Sequence, residues 1–425
     1  MLTTILFGVL FFGCILLSVA LHEVGHMLPA KKFGVKVPSY SIGFGPAIWK
    51  RQFGETLFAV RWIFLGGYVR LLGMYPPASK RSRFARLSDL ADDARSQEWE
   101  DITEADVAAG RLFYQKKTWQ KVVVMFGGPF MNLLISFVIF SFIVGCYGTY
   151  EQTNKVAQVI ACIPAAGANT CTDADPQTPA AQAGLQAGDV ITGFNGTEIT
   201  SQTQLSGLIR GNADGEVILT VDRGGETLTL PAVHTVIIED PATETTPATT
   251  RGYLGYAAAT ERVTGGPGKT FSLMWDMTTM SYEALVKLPV SVYDAIVDVF
   301  SGEERGQDSP MSIVGASVVA GEVATAEGVD AGARIVMFAS LLGSVNLFLA
   351  LLNLIPLPPL DGGHIFAALY EWLKRKLSKA FKRPDPGYFD TAKILPVTYV
   401  AGAFLFLCGI ILIVLDIIAP VQVFS

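Results

Sequence analysis

Leu21-His22-Glu23-Val24-Gly25-His26 closes a long apolar run that begins at Met1, and its spacing sets the reading of the whole chain. On a helix, residues four apart lie on one face about one turn from each other, so His22 and His26 can offer two imidazole nitrogens to one metal ion. Zinc suits that donor set. Glu23 projects beside the pair, where a carboxylate can take a proton from a water that the ion has made more acidic. The pattern by itself is only moderately specific.

A catalytic zinc needs a third protein ligand and an open position. Near the other end of the chain, Asn353-Leu354-Ile355-Pro356-Leu357-Pro358-Pro359-Leu360-Asp361-Gly362-Gly363 closes a second apolar segment, and Asp361 is its first acid. Composition supports a membrane setting for both stretches. The chain of 425 residues is 50% hydrophobic and 16% charged, with mean hydropathy +0.40, which is too apolar for a soluble enzyme and too polar for a pure membrane bundle. Segments 3–28, 122–147, 333–356 and 394–418 are each apolar over the roughly 20 residues that cross a ~30 Å hydrocarbon core. The first is not read as a secretory signal, because no positive charge follows Met1 and no small-x-small cleavage site precedes the histidines.

Loop charge orients the spans. Residues 29–121 hold 16 Lys+Arg against 9 Asp+Glu, and 361–393 hold 7 against 4, so both loops are expected on the cytoplasmic side. Residues 148–334 hold 9 Lys+Arg against 23 Asp+Glu, a net of 9 − 23 = −14, which places that segment outside. Both metal motifs then end their helices toward the cytoplasmic side.

The two motifs resemble the signatures of the site-2 protease family of intramembrane zinc metalloproteases, H-E-x-x-H and N-x-x-P-x-P-x-L-D-G-G, with every fixed position filled. That resemblance implies one zinc per chain held by His22, His26 and Asp361, with Glu23 as the catalytic base. It implies cleavage of a single-span protein within or next to its transmembrane segment, in regulated intramembrane proteolysis. The expected substrate is a membrane-bound regulator such as an anti-sigma factor, first cut outside by another protease. The bacterial cell membrane is the expected location, and no nucleic-acid partner is expected.

Between the first two spans, in the membrane-associated region 29–75, Gly34 to Gly73 alternates apolar residues with glycines, which implies short strands and turns. Such backbone at membrane depth must be buried in protein or line a cavity, so a reentrant β-hairpin beside the metal is expected, a surface hairpin being the alternative. The family carries a reentrant β-loop here, and Gly66, Gly67, Tyr68 and Val69 match its G-G-Y-V-like element. An exposed strand edge there would hold unwound substrate by strand addition. Residues 76–121 read as a cytoplasmic insertion whose polar part, 76–115, is mainly solvated linker and partly helical, with Lys80-Arg81-Ser82-Arg83 available to anionic lipid. Phe126-Gly127-Gly128-Pro129-Phe130-Met131-Asn132 fits the family's G-P-x-x-N pattern. Asn132, and Asn353 of the second signature, are thereby substrate-binding candidates; a helix contact is the alternative for Asn132.

Outside the membrane, residues 150–258 resemble a PDZ domain, carried by Pro179-Ala180-Ala181-Gln182-Ala183-Gly184-Leu185-Gln186-Ala187-Gly188-Asp189-Val190-Ile191 and the Asn195-Gly196 hairpin turn. Gly252-Tyr253-Leu254-Gly255 resembles the loop that captures a peptide terminus, although a turn ending a strand is the ordinary explanation. Cys162 and Cys171 are spaced for a disulfide there, with two free thiols as the alternative. Residues 262–330 are read as an amphipathic helix on the outer membrane surface followed by a linker. In that linker Met311 and Ser312 depart from a family G-P-x-G-I pattern. Residues 357–393 are a cytoplasmic loop. His364 is read as a neighbour of the site and not a ligand, and Asp416 as a lone acid near the outer end of the last span, within reach of water.

The architecture expected is thus an α-helical membrane protein of four transmembrane helices with a reentrant β-hairpin and an inserted extracytoplasmic α+β PDZ domain. Two other classes stay open on sequence: a non-catalytic PDZ-containing receptor or chaperone with a structural metal, and a zinc transporter. The first usually lacks the glutamate or a ligand, and the second favours internal repeats, which are not seen here.

Overall fold

Apolar runs of 23 to 31 residues at four places fold as helices long enough to cross a membrane: Leu2–Lys32, Thr118–Tyr147, Ala331–Asn353 and Thr391–Ile418. The computed structural model describes residues 2–77, 85–163, 175–240, 249–302, 305–306, 309–326 and 328–421. The chain divides into two units, one of residues 1–143 and 266–425, the other of 144–265.

In the first unit, α1 (Leu2–Lys32) is followed by a hairpin of β1 (Ser39–Phe53) and β2 (Thr56–Arg70), then α2 (Ala85–Trp99), the short α3 (Glu104–Ala108) and α4 (Thr118–Phe142). The hairpin curls back on itself. Ser39 to Ile42 pair on one side with Leu57 to Val60 and on the other with Arg70 back to Gly67, while Lys50 to Phe53 pair with Ala59 back to Thr56. Four short ribbon segments result, and residues 67–70 lie at one edge. The bend falls at Gly43 and Gly45, whose φ of +84° and +81° few side-chain-bearing residues adopt. Phe44, Ile48, Trp49, Trp62 and Ile63 are exposed on the outer loop of the ribbon. Its base is sealed by Val35, Val37, Tyr40 and Leu71 packing with Met27, Val124 and Met125 of α1 and α4.

The solvated linker expected over 76–115 is corrected for its described residues. Helix α2 is docked, because Glu98 accepts hydrogen bonds from the backbone amides of Gly73, Met74 and Tyr75 at 2.7–2.8 Å, and Arg95 pairs with Asp390 at 2.8 Å. Buried charges are tolerable when satisfied in this way. Helix α3 opens with a Thr103–Asp106 capping box, and the Lys36 ammonium 2.7 Å from Asp106 holds that carboxyl down at about 2. Lys80 to Arg83 lie outside the described residues.

In the second unit, α5 (Pro179–Gln182) and α6 (Gln202–Gly211) accompany ten strands: β3 (Thr149–Val159), β4 (Val190–Phe194), β5 (Thr197–Glu198), β6 (Glu216–Val217), β7 (Leu219–Arg223), β8 (Glu226–Thr229), β9 (Val233–His234), β10 (Val236–Asp240), β11 (Thr249–Tyr253) and β12 (Tyr256–Val263). The main sheet runs β12-β3-β4-β7-β8, with β5 paired to β4. Alternate residues Ile191, Leu219 and Val221 meet Leu205 and Ile209 of α6 in one apolar core. Asp189 is held by Arg223 through two 2.8 Å hydrogen bonds, which keep its carboxyl below the ordinary range. Cys162 is disulfide-bonded; the Cys162–Cys171 pairing expected from sequence involves Cys171, outside the described residues.

The first unit resumes with α7 (Pro267–Ser301), α8 (Ile313–Thr325), α9 (Ala331–Asn353), α10 (Asp361–Ala380) and α11 (Leu395–Ile418). Helix α7 lies against α4 and α9, with Met274 among Phe140, Ile143 and Leu347. Its other side exposes Trp275, Tyr282, Val286 and Tyr293. The linker expected after it contains α8, whose Ala316 and Ala320 pack on Phe11 and Ile15 of α1. Ser312 is the N-cap, accepting from Val314 and Gly315, so the departure from the family pattern coincides with a helix start. Asp416 is also corrected. It does not reach water, being buried and paired at 2.8 Å with the equally buried Arg305, while its other oxygen accepts from the Ser312 amide at 2.7 Å.

Candidate metal centre

Helix α1 delivers His22 and His26 one turn apart, and their Nε2 atoms lie 3.2 Å from each other. Asp361 is the first residue of α10, and its Oδ2 stands 3.3 Å from His22 Nε2 and 3.2 Å from His26 Nε2. The turn before it is folded tightly against the glycines that follow. A Cβ on Gly362 would stand 2.3 Å from the Ile355 carbonyl oxygen, and one on Gly363 2.5 Å from the Pro358 nitrogen. Only glycine fits at both places, which is the physical content of the Asp-Gly-Gly motif.

The three donors fit a zinc ion. Ligand atoms about 2.0–2.1 Å from a tetrahedral ion are roughly 3.3 Å apart, which is the separation among these three. Asp361 Oδ2 is a buried atom with no hydrogen-bond partner, as expected of a lone pair reserved for a metal. His26 Nδ1 lies 2.8 Å from the Val124 carbonyl, so Nδ1 carries the proton and Nε2 is free to ligate. Among the described residues, this is the one group of three histidine, cysteine or acidic side chains so placed.

Helix α4 forms one wall. Gly25 and Gly127 touch backbone to backbone, a Cβ on either coming within 2.2 Å of the other's carbonyl oxygen. Small residues permit that approach between membrane helices. One residue on, Gly128 faces both imidazoles, and its Cβ would lie 2.3 Å from His26 Nε2 and 2.6 Å from His22 Nε2. Glycines 127 and 128 stood in the sequence as part of an unusual membrane-helix stretch, but their contact with the histidines and the role of the Val124 carbonyl were not legible there. Asn132, one turn further, is buried with its Oδ1 unpartnered.

The hairpin edge forms another wall. The Val69 backbone amide donates toward the Glu23 carboxylate, and a Cβ on Gly67 would stand 3.1 Å from Glu23 Cγ. Gly66, with φ +145°, lies against the Phe44 ring, and Tyr68 stacks on the same ring at 6.0 Å. Asn353 ends α9 and donates within its own helix to the Leu349 carbonyl at 3.0 Å. His364 stays outside the triad and lines a cavity of about 20 Å³ with Lys121 and Glu371. Desolvation there pulls its imidazole below the ordinary value.

Chemically, the arrangement offers two imidazoles and a carboxylate to one ion, with a second carboxylate alongside. The sequence matches Peptidase family M50 over residues 10–384. It is 32% identical over 437 residues to the zinc metalloprotease Rip1 of Mycobacterium tuberculosis (strain H37Rv), covering 98% of each chain. It is 28% identical over 380 residues to the metalloprotease MmpA of Caulobacter vibrioides, 86% of each. With the zinc metalloprotease RasP of Shouchella clausii the identity is 25% over 410 residues, 84% of this chain and 88% of that one. A metal-ready triad at the ends of apolar helices and these matches along nearly the whole length agree: the chain belongs to Peptidase family M50, the site-2 proteases, and is a multi-pass intramembrane zinc metalloprotease.

Proposed function

We propose that the protein cleaves a single-span membrane regulator, such as an anti-sigma factor already trimmed by another protease, within or beside its transmembrane segment. The observation that carries this reading is the triad of His22, His26 and Asp361 with Glu23 and the 67–70 strand edge against it. When bound, zinc supplies Lewis-acid polarisation of the scissile carbonyl and of the attacking water. Glu23 takes the water proton on a carboxylate oxygen and hands it to the departing amine, restoring itself for the next turnover.

A transmembrane substrate hides its carbonyls in helical hydrogen bonds and must unwind before it can be cut. In this proposal residues 67–70 pair with the opened strand, and Asn132 and Asn353 supply polar partners for the freed backbone groups. The unpaired Oδ1 of Asn132 supports its part. Residues 39–70 then form the reentrant hairpin, for which the exposed Trp49, Trp62 and Ile63 are suitable. The charge asymmetry of the loops supports a cytoplasmic-side metal centre and an external second unit. We read residues 150–258 of that unit as a PDZ domain that selects substrates, by bulk or by the new terminus the first cut creates.

The test compares membrane-proteome fragments from cells carrying wild type and Glu23→Gln. A trimmed single-span fragment that accumulates only with Glu23→Gln supports the reading and names the substrate. Identical fragment profiles would refute it.

A further inference from the structure

The bundle has a second site, remote from the metal. Between the starts of α1 and α9 and the end of α8 lies a cavity of about 760 Å³, lined among others by Thr4, Phe7, Leu10, Arg334, Ile335 and Phe338. Eighteen residues of α1 separate Thr4 from His22, about 27 Å at 1.5 Å per residue, so nothing held here by its polar end touches the metal triad. Its size is within the roughly 300–1,000 Å³ of small-molecule sites.

Arg334 decides the chemistry. It stands one turn into α9, its Nε is buried without a partner, and its Nη1 donates to the Ala324 carbonyl at a long 3.5 Å. Among the described residues no carboxylate pairs with it. Arginine keeps its charge in proteins, so a cation placed this way calls for an anion. Two hydroxyls share the cavity wall: Thr325 donates to the Gly321 carbonyl at 2.9 Å, and Thr4, 3.2 Å from Thr325, keeps the one proton that can turn to an anion.

The remaining walls are apolar, and they continue onto the lipid-facing flank. Leu6, Leu10 and Ile335, on two membrane-crossing helices, are 65%, 52% and 66% exposed. A free inorganic anion would use the guanidinium and gain nothing from these surfaces. An amphiphile with one anionic group uses both.

We propose that this cavity is a binding site for an anionic phospholipid, with the phosphate on Arg334 and the Thr4 hydroxyl and one acyl chain along Phe7, Leu10, Ile335 and Phe338. The bound lipid ties the metal-bearing helix α1 to α8 and α9 at the end opposite the triad.

The test is native mass spectrometry of the full-length protein in detergent, titrated with dioleoylphosphatidylglycerol, dioleoylphosphatidylcholine or inorganic phosphate. Wild type should retain one phosphatidylglycerol through detergent exchange, in preference to phosphatidylcholine, and millimolar phosphate should not displace it. Arg334→Gln should lower that occupancy roughly tenfold or more, and Arg334→Lys should restore most of it. Ala324→Leu keeps the cation but narrows the cavity, so it should lower lipid occupancy as well, and it carries the test if Arg334→Gln fails to fold. Zinc content reports folding for each variant. Retention equal to wild type in Arg334→Gln or in Ala324→Leu would overturn the proposal. So would displacement by phosphate alone, which marks a simple anion site.

Discussion

The backbone of Gly128 lies against the His26 imidazole so closely that a Cβ built on it would stand 2.3 Å from Nε2, the atom that faces Asp361. One methyl group here must displace a metal ligand or the α4 backbone. Gly128→Ala is therefore expected to fold and reach the membrane but to bind zinc about 10–100-fold more weakly, the usual effect of disturbing what orients a ligand. Zinc competition with a chelator measures it, and unchanged affinity would mean that α4 yields freely.

Glu23 is expected to act on the proton and not on the metal. Glu23→Gln keeps the shape and removes the base, so zinc content should stay at the wild-type level while turnover of a purified substrate falls by about 10²–10⁴. Loss of zinc in this variant would make Glu23 part of the metal's support.

How much of this was legible in the sequence depends on the range of the contact. His22 and His26 are four apart, so helical period alone puts them together. Asp361, 335 residues beyond His26, came into view as the first acid closing a second apolar segment, and the resemblance of its motif to a known one made it the third ligand. The four spans followed from apolar length, but α8 did not, because 13 residues are too few to read as a crossing. Glu98 sits in an acidic run that resembles solvated linker. Its burial depends on three amides of a turn some 24 residues earlier, and no local pattern encodes that. Asp416 looked solitary for the same reason, since Arg305 is 111 positions away.

That buried pair supports another prediction. Arg305 and Asp416 side chains are 0% and 1% exposed, so removing one leaves the other charged and alone. Asp416→Ala should cost about 3–5 kcal/mol of stability. Arg305→Met combined with Asp416→Leu should recover a large part, because an apolar pair needs no compensating charge. Thermal unfolding in detergent compares the three proteins; equal melting of Asp416→Ala and wild type would show the pair to be dispensable.

At the hairpin, proline at Val69 removes the amide that reaches Glu23 and distorts the edge. Val69→Pro should cut turnover of a stable helical substrate sharply while zinc stays bound, and Asn132→Ala should do so more mildly. Helix-breaking residues in the substrate span should recover part of the loss. Wild-type rates for both variants on the unmodified substrate would remove these groups from the handling of unwound chain.

The central claim is that His22, His26 and Asp361 together hold one zinc. It is tested most directly by the zinc content of purified wild type, Asp361→Ala and His22→Ala, with folding checked by circular dichroism. About one zinc per chain is expected in wild type, and little in either variant, because two remaining donors do not retain the ion through purification. Full zinc occupancy in folded Asp361→Ala would contradict the account.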